Sequence, residues 1–332
     1  MSFRVIKPGL LTSVQDLGRK GFQQHGVIVS GAMDAYSFRI ANLLVGNNDN
    51  EAALEITLTG PTLKIEKDCL IAITGGDISP KIDGQPVPMW KPVYVKKGNT
   101  LKFGSCQSGC RAYLSVSGGY QIPEIMNSKS TYLRGELGGY KGRACQADDV
   151  IPFNEHDHYH NQFQKEEFTG AFTAANWSVN YKQFIPLIDN PVIRVTKGRQ
   201  FGYFTDSSQE EFVKKPFVVS NQSDRMGYRL TGPSMELENK RDLLSEAVSN
   251  GSIQVTPDGN PIILLADRQT TGGYPKIAQV ITADLPLIAQ VKPGQSLRFS
   301  YVSLEEAEHL YIQKEQQLQQ LKIAISLAFK DK

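Results

Sequence analysis

Short apolar–polar alternations separated by glycine turns dominate this 332-residue chain. Val93-Tyr94-Val95, Leu101-Lys102-Phe103, Ala112-Tyr113-Leu114-Ser115-Val116 and Pro261-Ile262-Ile263-Leu264-Leu265 are such runs. The pairs Asp83-Gly84, Lys97-Gly98 and Asp258-Gly259 stand where hairpins would turn. Side chains on a strand alternate between two faces, so each run can bury only one of them. Many short strands with regular turns predict a mainly β chain of closed or sandwich-like antiparallel sheets.

The pattern changes near the C-terminus. Leu304, Ala307, Tyr311, Leu318, Leu321, Ile325 and Ala328 follow a three-four spacing broken at Lys314, which predicts a helix with one apolar stripe. Two fragments of the first half recur later. Leu58-Thr59-Gly60-Pro61-Thr62-Leu63 is echoed by Leu230-Thr231-Gly232-Pro233-Ser234-Met235, and Val95–Phe103 by Val291–Phe299. Two echoes in the same order predict a duplicated β domain. The length itself accommodates two domains of about 150 residues. The stretch 154–190 is polar and carries Ile185-Pro186 and Asn190-Pro191, as a linker or insertion would. The expected plan is a β domain at 1–153, this linker at 154–190, a second β domain at 191–303 and a C-terminal helix at 304–332.

Charge excludes some partners. The formal net charge is +2, which gives no electrostatic reason to bind nucleic acid or an anionic membrane. No apolar run reaches the roughly 20 residues of a spanning helix, and the start of the chain carries no signal-peptide core. Four cysteines make no disulfide framework, so the expectation is a cytoplasmic chain with free thiols.

Between Leu11 and Asn47 polar side chains crowd where a fold needs few: Gln15, Asp16, Arg19, Asp34, Arg39 and Asn42. Such a set can present fixed donors and acceptors to a small polar ligand. The segment 35–45 reads as a helix with Tyr36, Ile40, Leu43 and Leu44 on one face and Gly46 past its end. Asp34 stands where an N-cap belongs, a structural role complete in itself. Arg39 and Asn42 fall on other faces, where surface positions are the ordinary reading.

In the second half, Ser223-Asp224-Arg225-Met226-Gly227 and Arg229 put two guanidinium groups beside one carboxylate. Either an internal ion pair or bidentate capture of a substrate carboxylate or phosphate fits. Glu246 is a candidate general base or water-orienting residue. Gln269-Thr270-Thr271-Gly272-Gly273-Tyr274-Pro275 joins hydrogen-bonding side chains to two glycines that allow close backbone approach. It lacks the lysine of a phosphate-binding P-loop. Gly138–Arg143 reads as a solvated glycine-rich turn. His156, His158 and His160 alternate within the polar stretch expected to be disordered, and Cys106 with Cys110 has no second pair at zinc spacing. No metal site is predicted.

These same motifs carry a family resemblance. The 11–47 segment, Leu54-Glu55, Leu58-Thr59-Gly60-Pro61, Thr74-Gly75-Gly76-Asp77, Tyr113–Gly119, Ser223–Gly227, Leu244-Ser245-Glu246 and Asp267–Pro275 occur in order. Together they resemble the C-subunit family of bacterial 5-oxoprolinase, related to allophanate hydrolase subunit 2 and the carboxyltransferase domain of urea carboxylase. The resemblance implies two related cyclophilin-like β-barrel domains. It also implies a hetero-oligomeric enzyme that opens the lactam of 5-oxo-L-proline to L-glutamate with ATP and magnesium. The partners it implies are A and B subunits, the latter kinase-inhibitor-like. On that reading the Ser30–Asp34 loop and its helix border the ligand cleft. Asp34, Asp224, Arg225 and Glu246 are the catalytic candidates, while Gln15, Asp16, Arg19, Arg39, Asn42, Arg229, Gln269, Thr270 and Thr271 hold substrate. Two alternatives follow from the same kinship: biotin-dependent carboxyl transfer to a urea-like amide, or a binding protein that antagonises a histidine-kinase inhibitor. No biotinyl-lysine motif occurs; Ala32-Met33-Asp34-Ala35 is the nearest string and has no lysine.

Overall fold

The computed structural model describes residues 1–154, 170–239 and 243–330. The three alternating histidines lie outside the described residues. The chain divides into two compact units: residues 1–19, 34–187 and 316–332 form the first, and residues 20–33 and 188–315 the second.

The first unit is built from twelve strands. These are β1 (Ser2–Lys7), β2 (Leu11–Gln15), β3 (Ala53–Thr57), β4 (Thr62–Ile65), β5 (Cys69–Asp77) and β6 (Lys81–Ile82), then β7 (Gln85–Pro86), β8 (Pro92–Val95), β9 (Thr100–Lys102), β10 (Ser108–Val116), β11 (Val150–Pro152) and β12 (Phe172–Ala174). They form two six-stranded sheets, ordered β11-β1-β4-β9-β6-β7 and β12-β8-β5-β10-β3-β2. Alternation decides what each face buries. Phe3, Val5, Leu63, Ile65 and Leu101 of one sheet share a core with Leu54, Ile56, Ile71, Ile73 and Leu114 of the other. Each such side chain contributes roughly 1.5–3 kcal/mol when fully buried. The predicted Asp83-Gly84 turn closes the β6–β7 hairpin with φ +46° and +87°, the all-positive geometry that matches strand twist. Strand β12 lies inside the polar 154–190 stretch and pairs Phe172 with Val95 of β8.

Helix α1 (Ala35–Leu44) packs on the face of β3, β5 and β10 turned away from that core. It stops at Leu44, one residue before the sequence reading, and Gly46 follows at φ +77°. Its burial is not confined to one face: Tyr36, Phe38, Ile40, Asn42, Leu43 and Leu44 are all buried.

The second unit begins with β13 (Val192–Lys197), α2 (Asp206–Lys214), β14 (Phe217–Val219) and β15 (Gly227–Thr231). It continues through β16 (Glu246–Ala247), β17 (Ser252–Val255), β18 (Pro261–Leu264), β19 (Thr271–Gly272) and β20 (Lys276–Val280) to α3 (Leu285–Gln290) and β21 (Ser296–Tyr301). Seven of these strands close a barrel in the order β13-β20-β17-β18-β15-β14-β21, which removes free sheet edges. Parallel pairing of Val192 with Arg298 joins the last strand to the first. Phe212 and Phe299 stack in the core at 4.5 Å. Met33, from the distant 20–33 segment, belongs to the same core. Strands β16 and β19 form a separate two-stranded ribbon.

The final helix α4 (Leu304–Lys330) forms as predicted. Its predicted stripe is only partly used: Leu318 and Ile325 are buried, while Leu304 and Tyr311 are exposed; Phe329, outside that stripe, is buried too. Phe329 meets Trp177 edge-on at 5.5 Å.

Candidate functional site

A sheet face under a helix is normally apolar, but the face of the first unit that carries α1 is not. Register aligns Ser13 with Glu55, Glu55 with Tyr113, and Tyr113 with Thr74 across four neighbouring strands. The period of two puts these residues on the face opposite Leu54, Ile56 and Leu114. Arg111 and Ser115 share that face two residues to either side of Tyr113. All six side chains are buried.

Hydrogen bonds bind this row to the helix. The Tyr113 hydroxyl donates to Glu55 Oε2 at 2.7 Å and accepts the Asp34 N–H at 2.8 Å. Burial, with the Glu55 and Asp34 charges beside it, pushes the Tyr113 phenol well above its ordinary range, so the hydroxyl keeps its proton. Asp34 is the N-cap: one oxygen accepts the Ser37 N–H and the other the Ser37 hydroxyl. Thr74 donates to the Ser37 carbonyl at 2.6 Å. Arg111 Nε lies 3.9 Å from Glu55 Oε1. Two buried carboxylates are thus held by donors, the condition for burying charge at tolerable cost. Gln15 Oε1, Thr57 Oγ1 and Ser115 Oγ are buried without a hydrogen-bond partner among the described residues.

The structure gives the other first-half candidates a shared task. Gln15 Nε2 donates to the Thr131 carbonyl, and Asp16 accepts from the Ser128 hydroxyl and the Lys129 N–H. Arg19, fully buried, donates to the Ile125 and Ser130 carbonyls. All three fix one loop, residues 125–131. The glycine-rich turn expected to be solvated packs against it: Gly138 and Gly139 are buried, and a Cβ on Gly139 would meet Thr131 Oγ1 at 1.8 Å. Arg39 pairs with Asp49, and buried Asn42 donates to the Glu51 carbonyl beyond the helix end.

In the second unit the two guanidinium groups part company. Arg225 Nε and Nη2 bind the Asp267 carboxylate at 2.9 and 3.0 Å, and Nη2 also donates to the Gly31 carbonyl at 2.7 Å. Asp224 instead closes a turn, accepting the Met226 N–H at 2.8 Å. Arg229 is exposed on β15, because strand alternation turns it away from the core. Of the ion-pair and substrate-capture readings, the geometry of Arg225 is an ion pair.

Glu246 sits on the β16–β19 ribbon opposite Gly272. It accepts from Lys276 Nζ and Gln200 Nε2 at 3.0 Å each and from Arg199 at 2.8 Å. The Lys276 and Gln200 hydrogen bonds hold its carboxyl below the ordinary glutamate range. A carboxylate so held is a poor proton acceptor but a fixed hydrogen-bond acceptor, which suits orienting a water better than deprotonating it. Thr271 is exposed on the same ribbon opposite Ala247, exposed Gln269 precedes that strand, and the Thr270 carbonyl accepts the Val248 N–H. The glycines matter here: a Cβ on Gly272 would meet Gln254 Nε2 at 2.7 Å.

The model of the carboxyltransferase domain, subdomain A and B, matches residues 25–301. The chain belongs to the carboxyltransferase-domain family. It is 39% identical to the C subunit of 5-oxoprolinase from Haemophilus influenzae, over 93% of this chain and 94% of that protein. It is also 39% identical to the protein of the same name from Escherichia coli, covering 92% of each. Among solved structures, the crystal structure of Kluyveromyces lactis urea carboxylase superposes with a TM-score of 0.86 at 33% identity, over 95% of this chain and 28% of that one.

Within this carboxyltransferase-domain chain, sequence reasoning did not single out Glu55, Arg111, Tyr113 or Asp267 as site residues. The first three had a legible signal: charged or phenolic residues alternate with aliphatic ones in strands that are buried on both faces. Asp267 stood only at the head of the family motif Asp267–Pro275, and its pairing was hidden because its partner lies 42 residues away in sequence. Among the described residues no three His, Cys, Asp or Glu side chains gather as a metal-ligand set. No helix among them is long and apolar enough to cross a membrane.

Proposed function

We propose that this chain is the C subunit of an ATP-dependent 5-oxoprolinase complex that hydrolyses 5-oxo-L-proline to L-glutamate. The observation that carries this reading is the 39% identity to two proteins named as that subunit, across more than nine-tenths of each chain. A lactam carbonyl is a weak electrophile, so the proposed chemistry phosphorylates its oxygen from ATP, releasing ADP; water then attacks the carbon, the ring C–N bond breaks and phosphate leaves. Such a site holds a carboxylate, neutralises phosphate and orients a water. The Glu246 group of the second unit supplies cations in Arg199 and Lys276, with a carboxylate whose lowered pKa suits the water-orienting role. The proposed cofactor of the complex is ATP with magnesium, the metal held largely by the nucleotide phosphates. The proposed partners are the A and B subunits of that complex.

Glutamate release from 5-oxoproline, measured with this chain and with or without candidate A and B subunits, tests the proposal. Activity that needs ATP and all three chains is the expected result. A stable complex that releases no glutamate would overturn the catalytic reading and leave a binding role. The likeness to urea carboxylase favours one second reading, carboxyl transfer from a biotinylated partner to a urea-like nitrogen. Carboxylation of urea with a supplied biotinyl carrier would reveal it.

A further inference from the structure

A pocket of about 560 Å³ opens in the first unit, and none of the predicted site residues lines it. Its volume falls within the roughly 300–1,000 Å³ of small-molecule sites. Its wall is aromatic: Trp90 and Tyr181 stack at 5.2 Å with an interplanar angle of 18°. Val87, Met89 and Val179 extend the apolar surface, and the serines 79, 108 and 178 supply hydroxyls.

Unusual backbone converges on the same place. Trp90 stands at φ +61° and Ser79 at φ +48°, a region side-chain-bearing residues rarely adopt. Such conformations persist only where surrounding structure enforces them, and they cluster at ligand sites. The pairing of β5 with β10 is also interrupted between Ser108 and Ala112, so that Asp77 and Ser108 face each other at the pocket. Bulges of this kind re-aim side chains next to binding sites. Gly75 forms part of the lining, and a Cβ there would lie 2.4 Å from the Arg111 carbonyl.

The polar lining indicates what fits. Asp77 is a half-buried acceptor whose Oδ1 takes the Ser79 N–H at 2.7 Å. Among the described residues its Oδ2 accepts no hydrogen bond. A lining that joins an apolar stacking wall to the Asp77 carboxylate, with Lys81 also at the pocket, suits a flat ring that carries N–H donors on its edge. We propose that this pocket binds a planar nitrogen heterocycle with an exocyclic amine, the class of the adenine base, stacked at the Trp90–Tyr181 wall with its amine toward Asp77. The inference rests on the pocket alone and is independent of the 5-oxoprolinase reading.

Calorimetric titration of the full chain with adenosine and inosine tests it. Inosine presents a carbonyl oxygen where adenosine presents the amine, so it is expected to bind about tenfold or more weakly, the size of one charge-assisted hydrogen bond. Asp77→Asn, which keeps an oxygen for the Ser79 N–H, should abolish that preference. Tyr181→Ala should weaken adenosine binding and Tyr181→Phe should not. The chain has two tryptophans, so in a Trp177→Phe background adenosine should quench Trp90 fluorescence saturably. Absence of saturable heat and quenching, or equal affinity for the two nucleosides, would overturn the proposal.

Discussion

Tyr113 links two buried groups, the Glu55 carboxylate and the Asp34 N–H. Tyr113→Phe keeps the ring and removes both hydrogen bonds. Leaving buried polar groups unsatisfied costs about 1–3 kcal/mol, so urea unfolding should show a loss of that size. Arg225 raises a different question, because its binding partners are internal. Arg225→Ala strands the Asp267 carboxylate and is expected to cost about 3–5 kcal/mol. Replacing the pair together, Arg225→Met with Asp267→Leu, should cost much less, since no charge is then left buried. Equal losses for the single and double variants would show that the pair is not the source of the effect. The residue types and their proximity in sequence were legible beforehand. Which carboxylate Arg225 would choose was not, because Asp224 is adjacent in the chain while Asp267 is adjacent only after β15 and β18 pair.

Elements bring residues together by register, and the segment leading into β11 offers a pH test of it. Arg143 binds the Asp149 carboxylate through two hydrogen bonds of 2.6 and 2.7 Å, which hold its pKa below the ordinary aspartate range. The native pKa then lies below the unfolded value of about 3.9. Between those two values the unfolded chain binds more protons, so stability rises with pH there. The contribution is complete above the unfolded value and disappears as pH falls through the native one. Asp149→Asn should therefore flatten the acid limb of a plot of urea midpoint against pH as pH falls below the unfolded aspartate value. An unchanged acid limb would remove Asp149 from the account. Strand and turn signals predicted these elements well: Asp83-Gly84 turns as a hairpin, and α1 begins at its Asp34 cap. The polar face beneath α1 was harder to read, since each strand contributes one or two polar residues to it and no single strand reveals the row.

At the scale of the whole molecule, the second unit is discontinuous, and Met33 fills part of its core from the far end of the chain. A fragment of residues 188–332 lacks Met33 and the Gly31 carbonyl that Arg225 binds. Loss of a buried methionine side chain alone costs about 2–5 kcal/mol, so the fragment should melt below the intact chain. Supplying residues 20–33 as a peptide should raise its melting temperature; no response would mean that this segment adds little. The sequence by itself determined what depends on neighbours along the chain: the period-two strands, the glycine turns, the capped helix, the long C-terminal helix and the family motifs. Only the tertiary structure decided that Gln15, Asp16 and Arg19 serve one loop, that Glu55, Tyr113 and Asp34 form one network, and that Arg225 belongs to Asp267. The physical reason is range. Propensity and turn geometry act over a few residues, whereas a buried charge takes whichever partner the folded backbone places within hydrogen-bonding distance.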